Sequence, residues 1–140
     1  MPYEALDEVV YTTGATAQGG RDGHVKSEDG VVDVVLGKPG SKTNPKANPE
    51  TLFAAGYAAC FSGALNAVAS RAGHDTSDST VTASVSLGKV GEGFGLAVKL
   101  VAHIPGVDDA TAQQLVEQAH QFCPYSKATR GNIDVSVSVA

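Results

Sequence analysis

Between Glu50 and Arg71 the chain runs through residues 51–70 without a single charged side chain. Asn48-Pro49-Glu50 stands directly before that stretch and reads as a helix start. Asn48 can cap, Pro49 suits the first helical position, and Glu50 faces the positive end of the helix dipole. Gly73 supplies a stop, so a helix is predicted from Pro49 to about Arg71. The stretch is formally long enough to cross a bilayer. Its residues argue against that: Ala and Gly dominate, Thr51, Ser62, Asn66 and Ser70 interrupt, and the Leu/Ile/Val density that insertion needs is missing. A helix that is apolar all round in a soluble protein is buried on all sides, so the rest of the chain must cover this one. Gly56 and Gly63, seven apart on one face, would let another backbone come close.

The segments available for that cover alternate. Val9, Tyr11, Thr13 and Ala15 share a face at period two within a predicted strand over 9–17, which Gly19-Gly20-Arg21-Asp22-Gly23 breaks. His24 to Ser27 and Val31 to Leu36 read as a hairpin about Glu28-Asp29-Gly30. Residues 37–46 are rich in turn formers and read as a loop. Val81, Ala83, Val85 and Leu87, then Phe94, Leu96, Val98, Leu100 and Ala102, predict a second hairpin about Gly91-Glu92-Gly93. Asp108 or Asp109 caps an amphipathic helix to about Phe122, with Ala112, Leu115, Val116, Ala119 and Phe122 as its buried stripe. Ile133, Val135, Val137 and Val139 close the chain as a strand. This order predicts an α+β fold with a mostly antiparallel sheet on a long buried central helix. The length, 140 residues, fits one domain over 1–140.

Composition narrows the function classes. With 42% hydrophobic and 18% charged residues the chain can build a core. A net charge of −5 with scattered Lys and Arg leaves no nucleic-acid footprint. Residues 1–10 carry Glu4, Asp7 and Glu8 and do not read as a signal peptide, so a cytoplasmic setting with reduced thiols is expected. Two cysteines are too few for a disulfide scaffold or a cysteine zinc quartet, and the four histidines share no ligand spacing, so no metal is expected.

The two cysteines sit in different surroundings. Cys60 lies mid-helix in the most apolar segment, where burial alone would leave an inert thiol; a reactive Cys60 needs a cation nearby. Cys123 precedes Pro124 at a change of direction, at the start of another helical turn through Thr129, where backbone N–H groups favour a thiolate. Arg21 reads either as a solvated arginine or as one on a loop able to swing.

The longer blocks carry a resemblance. Gly19-Gly20-Arg21-Asp22-Gly23, Asn48-Pro49-Glu50, Leu52 to Phe61, Phe94-Gly95-Leu96, Ala119-His120, Cys123-Pro124-Tyr125-Ser126 and Ala128 to Ile133 together resemble the organic hydroperoxide resistance family. They are more distantly similar to the osmotically inducible protein C family of the same superfamily. The likeness runs from about Tyr11 to the C-terminus. One departure is Lys46-Ala47, where the family shows Gly-Thr before Asn-Pro-Glu; the earlier Thr43-Asn44-Pro45-Lys46 lacks the Glu and the helix.

The resemblance implies a peroxidatic Cys60, a resolving Cys123, an Arg21 that holds the thiolate and a Glu50 that positions Arg21. It also implies an intertwined homodimer and reduction by a lipoyl-bearing protein, an external dithiol, with no bound cofactor. The substrate would be an organic hydroperoxide, and Phe53, Phe61, Phe94 and Tyr125 are the candidates for an apolar lining; each could equally be a core aromatic. Glu50 and Cys60 are ten residues apart, about 15 Å along one helix and roughly 80° apart in direction. That spacing leads us to expect Arg21 and Glu50 to act across a dimer interface on Cys60 of the partner subunit. Two other classes remain: a protein disulfide oxidoreductase, which would need an exposed dithiol rather than cysteines 123 − 60 = 63 positions apart, and a redox-sensing or binding module without turnover.

Overall fold

The computed structural model describes residues 3–40 and 45–140. Within the loop read over 37–46, residues 41–44 lie outside the described residues. The chain divides into two compact units, one up to Pro49 and one over Glu50–Ala140.

The first unit is a three-stranded antiparallel sheet in the order β1-β2-β3, with β1 at Ala15–Gln18, β2 at His24–Ser27 and β3 at Asp33–Val35. The hairpin about residues 28–30 forms as read. Asp29 holds it, accepting from Ser27 Oγ at 2.6 Å and from Val31 N–H at 3.0 Å, and those donors keep its carboxyl below the usual range. The strand expected over 9–17 is shorter at its start: residues 9–14 lie outside any strand, and Val9, Val10 and Tyr11 are exposed. β-branched alternation states a preference, but a strand also needs a ladder partner, and β2 is used up against Ala15–Gln18.

The second unit holds the core. Helix α1 spans Pro49–Arg71, and Gly73, at φ 83, takes the left-handed turn that follows it. β4 (Thr80–Val90) and β5 (Gly93–His103) pair antiparallel along their whole length. α2 (Asp109–Phe122) starts at Asp108, whose carboxylate accepts from Thr111 N–H at 2.7 Å. A short helix α3 (Pro124–Thr129) leads into β6 (Asp134–Val139), which pairs parallel to β5. Among the described residues, three of the four strand pairings are antiparallel. The parallel one follows from chain length: β6 returns to β5 only after two helices, a crossover rather than a hairpin.

Tyr57, Phe61, Leu65 and Val68, with Ala64 and Ala69, form the buried stripe of α1. They share a core with Val98, Leu100 and Ala102 of β5 and with Ala112, Leu115, Val116 and Ala119 of α2. Burial on all sides is not what α1 shows within this chain. Thr51, Ala55, Ala59, Gly63, Asn66 and Ser70 line an exposed stripe of small and polar residues. By length and composition α1 could cross a membrane, and its buried face is instead part of this core. Phe122, expected in the α2 stripe, is half exposed, with the Arg71 guanidinium 4.8 Å over its ring. α2 ends there, so the ring has no further turn to pack under.

Leu65 is fully buried at the centre of this cluster. Leu65→Ala should lower the unfolding free energy by about 2–5 kcal/mol in urea titration. A loss below about 1 kcal/mol would remove Leu65 from the core.

Candidate active site

Cys60 and Cys123 come from elements far apart in sequence and meet. Cys60 lies three residues after Tyr57, so the two side chains share a face of α1 one turn apart. Cys123 is at once the C-cap of α2 and the N-cap of α3. Its N–H donates to Ala119 O at 2.8 Å, its carbonyl accepts from Lys127 N–H at 3.0 Å, and Pro124 fills the first position of α3. The corner is therefore fixed from both sides, and Cys123 is wholly buried. Cys60 is half-buried. The two sulfurs are 3.5 Å apart with both thiols free. A disulfide bond of about 2.05 Å lies only about 1.5 Å of closure away.

Burial pushes the Cys60 thiol up, the backbone N–H of Tyr125 at the start of α3 pulls it down, and the neighbouring Cys123 raises it again; the balance is upward.

Beside the sulfurs lies a buried set of hydroxyls. Tyr57 is fully buried, and its Oη lies 2.8 Å from Ser126 Oγ and 3.1 Å from Thr129 Oγ1. Ser126 Oγ also meets His120 Nδ1 at 2.7 Å, and the Arg130 guanidinium donates to His120 O at 2.6 Å. Burial, then Arg130, holds the His120 pKa below its ordinary value. Neither composition nor spacing assigned a role to Tyr57, Ser126, Thr129 or His120. A usable signal was there: a phenol inside a charge-free helix must find a partner for its hydroxyl.

The remaining candidates divide. Phe53 and Tyr125 come together with Tyr57 as three tilted rings, their centroids 5.7–6.2 Å apart. Gly56 makes room for this: a Cβ there would stand 3.0 Å from the Tyr125 hydroxyl. Gly56 thus seats a ring of its own chain, while Gly63 faces open space. Phe61 is closed inside the core, and Phe94 is exposed at the start of β5. Glu50 is half-buried in the first turn of α1. Arg21 belongs to the first unit, exposed in a short 3-10 turn, Gly20–Asp22. Gly19 and Gly20 have φ of 81 and 64, and a Cβ on Gly23 would collide with Gln18 O at 1.8 Å, so the glycines around Arg21 are required by the turn itself. Among the described residues no cluster of three or more His, Cys, Asp or Glu could hold a metal ion.

Residues 40–138 match the family model described as OsmC-like protein. An organic hydroperoxide resistance protein of Xanthomonas axonopodis pv. citri is 47% identical over 138 residues, covering 96% of this chain and 97% of the relative. The organic hydroperoxide resistance protein OhrB of Bacillus subtilis is 48% identical over 134 residues, 93% of this chain and 98% of its own. Its crystal structure superposes with a TM-score of 0.88 at 46% identity, over 94% of this chain and 100% of that one. The organic hydroperoxide resistance protein of Elizabethkingia anophelis, crystallised with thiocyanate, gives 0.87 at 53% identity, over 95% and 98%. By model, identity and fold, the chain belongs to the OsmC-like family and, within it, to the organic hydroperoxide resistance proteins.

Proposed function

We propose that the chain is a thiol-dependent peroxidase that reduces organic hydroperoxides to alcohols. The supporting observation is the pair of free thiols 3.5 Å apart, one half-buried and one wholly buried. That difference in access gives the order of events: Cys60 meets the substrate and Cys123 waits behind it. A Cys60 thiolate attacks the terminal peroxide oxygen, the O–O bond breaks, and the alkoxide leaves and takes a proton. Cys60 becomes a sulfenic acid; Cys123 attacks its sulfur, forming the disulfide and releasing water. A dithiol, in our reading a lipoyl group on a partner protein, restores both thiols by exchange and is itself oxidised. The accessible Phe53 and Tyr125 rings, packed on the buried Tyr57, offer an apolar surface for the alkyl part of the substrate.

The upward-shifted Cys60 needs a cation to become a thiolate. Arg21 is our choice, since its planar fork can hold sulfur and peroxide oxygen together, with Glu50 orienting it. Glu50 lies ten residues from Cys60 on α1, about 15 Å by helix rise. A homodimer in which Arg21 and Glu50 serve Cys60 of the partner subunit removes that gap. Two features favour it: the exposed small-residue stripe of α1 about Gly63, and the exposed Val9, Val10, Tyr11, Val31 and Val35 of the first unit. We read α1 as a core helix of a cytoplasmic protein.

The direct assay is turnover of cumene or tert-butyl hydroperoxide with dihydrolipoamide, faster than turnover of hydrogen peroxide. No turnover would leave the redox-sensing reading. Cys60→Ser should abolish reaction. Cys123→Ser should react once and then accumulate sulfenic and over-oxidised Cys60 by mass spectrometry; loss of activity with Cys60 untouched would reverse the assignment. For the interface, inactive Cys60→Ser and Arg21→Ala chains refolded together should recover activity, one working site per heterodimer. Heterodimers without activity would put the whole site within one chain.

A further inference from the structure

On that reading of the two thiols, we infer that the hydrogen-bonded chain Tyr57 Oη–Ser126 Oγ–His120 Nδ1 is a positioning device for the disulfide step, clamping α3 against α1 so that Cys123 stays within reach of Cys60. Tyr57 and Cys60 are three residues apart on α1; Cys123 and Ser126 are three apart at the start of α3. Tyr57 meets Ser126 and Cys60 meets Cys123, so the same two elements are joined by two rungs, one of hydroxyls at 2.8 Å and one of sulfurs at 3.5 Å. Holding the first rung sets the second. Thr129, one turn further along α3, adds a second hydroxyl to the same phenol at 3.1 Å, which prevents α3 from rolling about the Tyr57–Ser126 bond.

The clamp is anchored from α2 as well. His120, in the last turn of α2, reaches over the Cys123 corner to Ser126, and Arg130, just beyond α3, reaches back to His120 O. The two bonds tie the elements on either side of Cys123 to each other. Every group in the chain can be satisfied at once with a neutral imidazole. Tyr57 donates to Ser126, Ser126 donates to His120 Nδ1, and Thr129 donates to Tyr57 Oη or to Ser126 O at 3.2 Å. Burial and Arg130 favour that neutral form. No buried side-chain N or O among the described residues is left without a partner, so removing one member leaves another unsatisfied.

These are positioning residues: none of them touches a sulfur by its side chain's hydrogen bonds, and their effect runs through the seat of α3. A loosened α3 gives the reduced chain more freedom and lowers the equilibrium constant for closing the Cys60–Cys123 disulfide. That constant is measured by equilibrating the full-length protein with reduced and oxidised glutathione, quenching by alkylation and weighing the products. His120→Leu should lower it about fivefold, the size of one ordinary hydrogen bond, and Tyr57→Phe and Ser126→Ala, which each break two, by more. His120→Asn, which keeps a polar atom near the Nδ1 position, should restore the wild-type value. A side chain important only for overall stability would lower the urea midpoint without moving this ratio. Tyr57→Phe keeps the ring packing and carries the test if Ser126→Ala does not fold. An unchanged constant in folded Tyr57→Phe and His120→Leu would overturn the clamp. The measurement uses no peroxide; the peroxidase reading fails by a different result, a wild-type protein that forms no disulfide with hydroperoxide.

Discussion

Tyr57 is completely buried yet carries a hydroxyl, and a hydroxyl taken out of water must be bonded inside the protein. It finds Ser126 and Thr129, both on α3, and the position of α3 follows from that requirement. Cys123 sits at the corner where α3 begins, so the depth of the second thiol follows as well. The same helix directs the Tyr125 N–H toward the Cys60 sulfur, the one backbone influence that lowers its pKa. Core packing supplies the frame around this arrangement. Phe61, Leu65 and Val68 continue the Tyr57 stripe down α1 and fix its rotation against β5 and α2. Rotated away from that stripe, Cys60 would no longer face Cys123.

Much of the second unit was legible in the sequence because its signals are local. Asn48-Pro49-Glu50 and Gly73 bracket α1, Asp108 starts α2, and Pro124 opens α3, each by backbone chemistry that acts within a turn. The hairpin of β4 and β5 follows from alternation about Gly91-Glu92-Gly93. What the sequence did not disclose is non-local. The parallel placement of β6 beside β5 depends on how two helices cross the sheet. The Tyr57–Ser126 bond joins residues 69 apart, for which no spacing rule exists. Phe122 fitted the helical period and failed for a local reason, the end of α2 at Cys123. Val9 and Tyr11 alternated as a strand would, but lie outside the ladder that starts at Ala15.

The candidate site was legible in part. Family blocks pointed to Cys60 and Cys123, and their sulfurs do meet, at 3.5 Å. Of the four aromatic candidates, Phe53 and Tyr125 gather about Tyr57, whereas Phe61 fills the core and Phe94 stands in solvent. An aromatic residue near a cysteine in sequence says nothing about which side of a helix it takes: Phe61 adjoins Cys60 in the chain and points into the core. Gly56 shows the converse. Its lack of a side chain looked like room for a second helix and instead admits the Tyr125 ring. Burial by itself acts against a thiolate at Cys60, so the groups that would make it one must outweigh that desolvation.

The central claim is that a hydroperoxide oxidises Cys60 and that Cys123 of the same chain closes the disulfide. It is tested most directly by treating the reduced wild-type protein with one equivalent of cumene hydroperoxide, then measuring intact mass and mapping peptides without reduction. The account predicts a loss of two hydrogens per chain, cumyl alcohol in equal amount, and a single linked peptide pair carrying Cys60 and Cys123. Both thiols still open to alkylation, or a link found only between two chains, would contradict it.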